Sequence, residues 1–267
     1  MGSVRSPAVA GAFYPADAEA LGAAVDELLA AGDPARVDVD PVLLIVPHAG
    51  YEYSGPVAAT AYRLLRATSE PQRRVVLVGP SHFVAVSGVA TPGVTGLETP
   101  LGLVAVDGAL TAAAEAHPVV APGPEVHARE HSLEVQLPFL QRVFGELTVL
   151  PLLTGEVGHQ DVAAVLDEAL GAKGVMAVIS TDLSHYLDAS AARHRDAATA
   201  AAILELRPED IAWDDACGRI GLQAALLVAR GRGWACRLLD LRNSGDTAEP
   251  MNRVVGYGAF AIGPTAA

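Results

Sequence analysis

Cysteine is almost missing from this chain: Cys217 and Cys236 are the only two in 267 residues. That excludes a disulfide scaffold and a four-cysteine zinc site, and it suits a reducing compartment. Lysine is scarcer still, with Lys173 alone against 17 arginines, a bias expected of a GC-rich bacterial genome. No apolar run reaches the roughly 18 to 20 residues of a membrane-spanning helix. The opening Met-Gly-Ser-Val-Arg-Ser lacks the charged start and apolar core of a secretory signal, although Gly2 with Ser6 fits the loose N-myristoylation pattern. Positive charge is also sparse and scattered, Arg73-Arg74 and Arg230-Gly-Arg232 being its densest groups. With a net charge of -13 the chain repels phosphate backbones and anionic lipid, so neither nucleic acid nor a membrane is expected as partner. The expected location is the cytoplasm.

What is abundant is apolar: 51% of residues are hydrophobic and 18% charged, which a disordered chain does not show. Short, continuous β-branched runs, Val42–Val46, Val75–Val78, Leu147–Leu153 and Val175–Ile179, read as strands buried on both faces of a mainly parallel sheet. Trp234–Leu241 and Arg253–Ile262 are later strands, the second alternating as an antiparallel or edge strand would. Helical periodicity predicts helices at Ala18–Ala31, Pro56–Ala67, Glu130–Phe144, Gln160–Leu170, Ala189–Leu206 and Gly218–Arg230. Pro56 suits a helix start, while Pro138 should kink or shorten its helix. This alternation predicts an α/β fold: a single three-layer α/β/α domain over residues 1–267, with a mainly parallel central sheet.

Polar residues concentrate where strands end. The first run leads into Pro47-His48-Ala49-Gly50-Tyr51, the second into Gly79-Pro80-Ser81-His82, and the run at Val175 into Ser180-Thr181-Asp182-Leu183-Ser184-His185. Ligands of open α/β sheets bind beyond the carboxyl ends of the strands. Parallel alignment of the three strands would therefore gather His48, His82, His185 and Asp182 at one edge. Three imidazoles beside a carboxylate suit a transition metal or a proton-transfer site. The plainer alternative is that His48 and His82 cap strand ends against loop carbonyls.

Cys217 precedes a predicted helix start and reads equally as a thiolate, ligand or nucleophile, or as a small buried hydrophobe. Cys236 reads as core. His127/His131 and Glu130/Glu134 are each four apart and would share a helix face if the segment were helical, a solvated helix start being the simpler account. His117, His159 and His194 read as solvated. Tyr51, Tyr53 and Tyr186 flank the expected site, either to contact a substrate or to pack its wall.

The strings GAFYPAD (Gly11–Asp17), PHAGYEYSG (Pro47–Gly55), GPSH (Gly79–His82), EHSLEVQLPFL (Glu130–Leu140), STDLSHY (Ser180–Tyr186) and Cys217-Gly218 occur in this order. Together they closely resemble the Memo family, also called AmmeMemoRadiSam system protein B, over nearly the whole chain. That family in turn is similar to the class III extradiol dioxygenases of the LigB type. The resemblance implies a LigB/Memo-like α/β sheet with a metal-capable pocket. It implies His48, His82 and Cys217 as metal ligands, His185 as acid/base with Asp182, and His131 as a further pocket histidine. It also implies iron(II) as the metal, with copper or zinc as alternatives, and an AMMECR1-like protein and a radical SAM protein as pathway partners.

Extradiol enzymes hold iron with two histidines and a carboxylate. A cysteine at the third position is softer, favours Cu(I), zinc or thiolate-bound iron, and argues against simple transfer of ring cleavage. Two function classes follow. One is a metal-dependent redox enzyme, dioxygenase-like, with zinc hydrolysis as a variant. The other is a non-catalytic protein whose pocket holds a metal, small molecule or peptide.

Overall fold

Successive residues of the central strands enter opposite cores. In the computed structural model, which describes residues 3–31, 37–65, 73–248 and 252–266, Leu44, Val46, Val75, Leu77 and Val178 pack into one apolar cluster. Leu43, Ile45, Val76, Val78 and Ile179 pack into the other. Period-2 alternation across a sheet buried on both faces produces this division. The first cluster is closed by helices Ala18–Ala30, Tyr51–Leu65 and Leu137–Phe144. The second is closed by His159–Leu170, Ala189–Leu204 and Arg219–Gly231. The three-layer α/β/α expectation is therefore met. Gly2 and Ala67, named above, lie outside the described residues.

The sheet runs in the order Val4–Arg5, Gly96–Thr99, Gly102–Val106, Thr148–Thr154, Arg74–Pro80, Val175–Ser180, Leu43–Val46, Val254–Gly263, His185–Leu187. From Gly102–Val106 to Leu43–Val46 each neighbour is parallel. Val254–Gly263 is antiparallel to Leu43–Val46 and to Ala235–Asn243, and it is interior rather than an edge. Its Gly256 lets the buried Asp196 carboxylate approach: a Cβ there would stand 2.0 Å from Asp196 Oδ2.

Two helix expectations need correction. The helix expected at Pro56 begins at Tyr51, with Pro56 inside it. The Tyr51 N–H is satisfied by Phe13 O at 2.8 Å, and Tyr53 and Ser54 turn onto Gly50 O, so the first turn closes upstream of the proline. The helix expected over Glu130–Phe144 is broken. Helical turns occupy Pro124–His127 and Glu134–Gln136, and a regular helix starts only at Leu137, with Pro138 in its first turn where its missing N–H costs nothing. Residues 128–133 stay open because the Glu130 side chain captures the N–H groups of His131 and Ser132, each at 2.9 Å, that a helix would have used. His127 and His131 therefore do not share a helix face. Among the described residues no helix is long and apolar enough to cross a membrane.

Candidate metal centre

Parallel pairing of Val46 with Ser180, and of Val78 with Ile179, brings three strand ends to one level of the sheet. His48, His82 and Asp182 follow those ends by two residues each. The open segment 128–133 adds His131 from the side. Ligand atoms of His48, His82 and His131 lie within 4.8 Å of one another. The His82 and His131 rings stack at 4.7 Å, and the His48 ring stands edge-on to each, at 5.2 and 5.5 Å.

Hydrogen-bond accounting fixes which imidazole nitrogens are free. The Ser180 hydroxyl donates to Ser132 O at 2.5 Å and accepts from Gln136 Nε2 at 2.9 Å. Its contact with His48 Nδ1, at 3.0 Å, must then be donated by the ring, leaving a lone pair on His48 Nε2. Burial, followed by the neighbouring His82, pushes the His48 pKa down to about 3, so the ring is neutral. His82 Nδ1 contacts Glu130 Oε1 at 2.9 Å. Burial would raise Glu130, but hydrogen bonds from the His82 ring and backbone prevail and bring it to about 2. A carboxylate only accepts, so His82 Nδ1 is the donor and its Nε2 is free. His131, lowered to about 4 by burial and then by His48, keeps a buried Nδ1 without a hydrogen-bond partner, 3.3 Å from Glu130 Oε1.

Cys217, on the loop before helix Arg219–Gly231, lies against His48 but is not one of the residues whose ligand atoms stand mutually within 4.8 Å. Its Sγ lies 3.2 Å from His48 Nε2 and accepts the Asp182 N–H at 3.3 Å. Gly218 permits this approach, because a Cβ there would stand 2.7 Å from both Ser180 O and Thr181 Cβ. Burial, then the Asp182 charge, pushes the thiol up to about 12, so without a cation beside it Cys217 is protonated.

Asp182 is buried, its Oδ1 accepts the His48 N–H at 2.7 Å, and burial raises its pKa against the pull of His185, His131 and His82. His185 Nδ1 donates to Leu183 O at 2.8 Å, leaving its Nε2 free. Tyr51 is buried and donates to Val135 O at 2.7 Å, Tyr53 packs half-buried against the core, and Tyr186 is exposed with φ 57°.

The donor set fits a transition metal. Three imidazoles and one thiol are borderline-to-soft ligands, and an orphaned ring nitrogen is buried among them. Ligand atoms around a four-coordinate ion with bonds of about 2.0–2.3 Å stand about 3.5 Å apart. The Sγ to Nε2 distance is close to that value.

Glu130 is the buried partner of the histidine group that the sequence does not reveal. Its spacing reads as that of a solvated helix residue, yet it is buried and receives four hydrogen bonds within the site. Its place beside His131 in the Glu130–Leu140 string is the available signal.

An α/β/α protein with a three-histidine group that could hold a metal, two of the histidines at strand ends and the third on a loop beside them, is the class that fold and site define. The family model described as "Memo-like protein" matches residues 5–261. The chain is similar to the MEMO1 family proteins of Aquifex aeolicus (36% identical, 95% of this chain, 97% of that one) and Archaeoglobus fulgidus (34%; 97% and 99%). It is also similar to that of Nitrosopumilus maritimus (33%; 96% and 98%). This chain belongs to the Memo family.

Proposed function

We propose that the protein is a metal-dependent redox enzyme of dioxygenase-like type, with one metal ion held by His48, His82 and Cys217. The three-histidine group, with Cys217 Sγ standing 3.2 Å from His48 Nε2, supports this reading. Iron(II) is the proposed metal, with copper or zinc as alternatives. Bound iron or copper would supply electron exchange with an oxidisable substrate, whereas zinc would polarise water for hydrolysis.

The chain's own residues prepare the site. Glu130 orients His82, and Ser180 with Gln136 orients His48, so both imidazoles present Nε2 without rearrangement. His131 stands beside the ligands as a further donor to substrate or ion. His185, held by Leu183 O, offers Nε2 to accept or return a substrate proton. Asp182 holds the His48 backbone and supplies negative charge close to His185. The AMMECR1-like and radical SAM partners belong to the same proposal, as neighbours in a pathway.

A paired substitution tests it. Cys217→Ser should lose metal, while His185→Gln should keep metal and lose oxygen-dependent turnover in a substrate screen. Retention of turnover by His185→Gln would remove His185 from the mechanism. Metal binding without turnover in any screen would leave a non-catalytic site for a metal, small molecule or peptide.

A further inference from the structure

Beside Cys217 lies a cavity of about 850 Å³. It opens beyond the carboxyl ends of Arg74–Pro80 and Thr148–Thr154, with Pro80 and Thr154 in its wall. Val84, Val86, Val157 and Ile220 line it, each half-buried against the core. Its volume falls in the range of about 300–1,000 Å³ typical of small-molecule sites, as does this mostly apolar wall with a few polar groups.

Two side chains of the cavity wall, Trp213 and Arg219, bear on what it could hold. Trp213 is 77% exposed, a large apolar surface left facing solvent. Arg219 stacks on it, its guanidinium carbon 4.9 Å from the ring centroid. Among the described residues Arg219 has no carboxylate within ion-pair distance, and its one side-chain hydrogen bond is a 3.4 Å contact to Gln223 Oε1. Many other arginines, among them Arg5, Arg74, Arg142, Arg207, Arg230 and Arg237, are paired with carboxylates. In a protein of net charge -13, an arginine without a carboxylate partner at the mouth of an apolar cavity is a local attraction for negative charge. The exposed Glu156 on the same rim works against it.

We propose that this cavity binds a small amphipathic organic anion, with its apolar body against Val86, Val157 and Ile220 and its anionic group on Arg219. Cys217 forms part of the wall and touches His48, so the cavity adjoins the proposed centre. The inference names the substrate class of the proposed metal site and rests on that reading for its catalytic meaning.

Anilinonaphthalenesulfonate and phenylnaphthylamine, which share an apolar ring system but differ in the sulfonate, are the probes. Each should bind saturably with one site per chain. Arg219→Gln should weaken the sulfonate probe about five- to tenfold, the range for a half-exposed charged hydrogen bond, and leave the neutral probe within about twofold. Glu156→Gln should tighten only the sulfonate probe, and Val157→Trp should weaken both by filling the cavity. Equal effects of Arg219→Gln on the two probes, or no effect on either, would overturn the proposal. Metal content measured on the same preparations separates the two readings. Loss of the probe difference with metal retained overturns the cavity alone, and a retained difference without metal overturns the metal site alone.

Discussion

Glu130 holds His82 twice, accepting its backbone N–H on Oε2 at 2.6 Å and its ring Nδ1 on Oε1 at 2.9 Å. One carboxylate thereby sets both the position of the residue and the tautomer of its ring. The same Oε1 accepts the N–H groups of His131 and Ser132, so the loop carrying the third histidine is fixed by the group that orients the second.

Glu130→Gln keeps the shape but replaces one acceptor oxygen by a donor and removes the charge. Metal affinity should fall about 10- to 100-fold, the usual cost of losing a partner behind a ligand. Competition titration against a chelator of known affinity measures it. Unchanged affinity would remove Glu130 from the site's design.

The Arg5–Glu134 pair, 2.7 Å apart and almost wholly buried, ties the N-terminal segment to the same loop. Glu134 also accepts from Tyr14 OH at 2.6 Å and from the N–H groups of Ala8 and Val9, while Arg5 donates to His127 O and Glu130 O. Glu134→Leu should cost about 3–5 kcal/mol, because Arg5 and three further donors lose their acceptor in the interior. Chemical denaturation reads the change, and a loss below about 1 kcal/mol would contradict this packing.

Gly218→Ala should destabilise by about 1–3 kcal/mol, since its Cβ would meet Ser180 O and Thr181. Gly231→Ala, with open space around the new Cβ, is the control and should be neutral or slightly stabilising. Equal effects in the two variants would refute the close approach at Cys217-Gly218.

Acid should destabilise the metal-free protein early. His48, His127 and His131 have folded pKa values of about 3, 4 and 4, below the unfolded value of 6.5. The unfolded chain binds more protons between those limits, so stability falls as pH drops from about 6.5, at about 1.4 kcal/mol per pKa unit for each group at most. Glu130, lowered to about 2 from 4.5, adds a further loss below about pH 4.5. Asp182 and Asp196, both raised by burial, act in the opposite sense in the acid range. Melting temperatures from pH 8 to pH 4 check the net sign, and a flat profile down to pH 4.5 would contradict the buried neutral histidines.

The sequence was most legible where chemistry is local. Continuous β-branched runs mark strands buried on both faces, and polar residues directly after Val46, Pro80 and Ile179 mark the sheet edge where His48, His82 and Asp182 meet. The ordered strings carried the family. Illegible were contacts spanning about 50 to 130 residues, such as His82 to Glu130 and Arg5 to Glu134, which leave no trace in periodicity. The segment 128–133 has helical spacing, and only the Glu130 carboxylate, competing for backbone N–H groups, opens it. Asp196, on a helix rich in alanine, has no pattern around it to mark it, yet it is buried and accepts the Ser184 N–H at 3.0 Å. Trp213 gave no pattern at all, since exposure of a lone aromatic depends on what surrounds it.

Metal content per chain after anaerobic purification, in the wild type and in His48→Ala, His82→Ala and Cys217→Ser, tests the central claim most directly. About one iron or copper ion is expected in the wild type and loss in all three variants, with correctly folded protein by circular dichroism. A wild type that takes up no metal even on anaerobic reconstitution, or a Cys217→Ser protein that keeps its full complement, would contradict it.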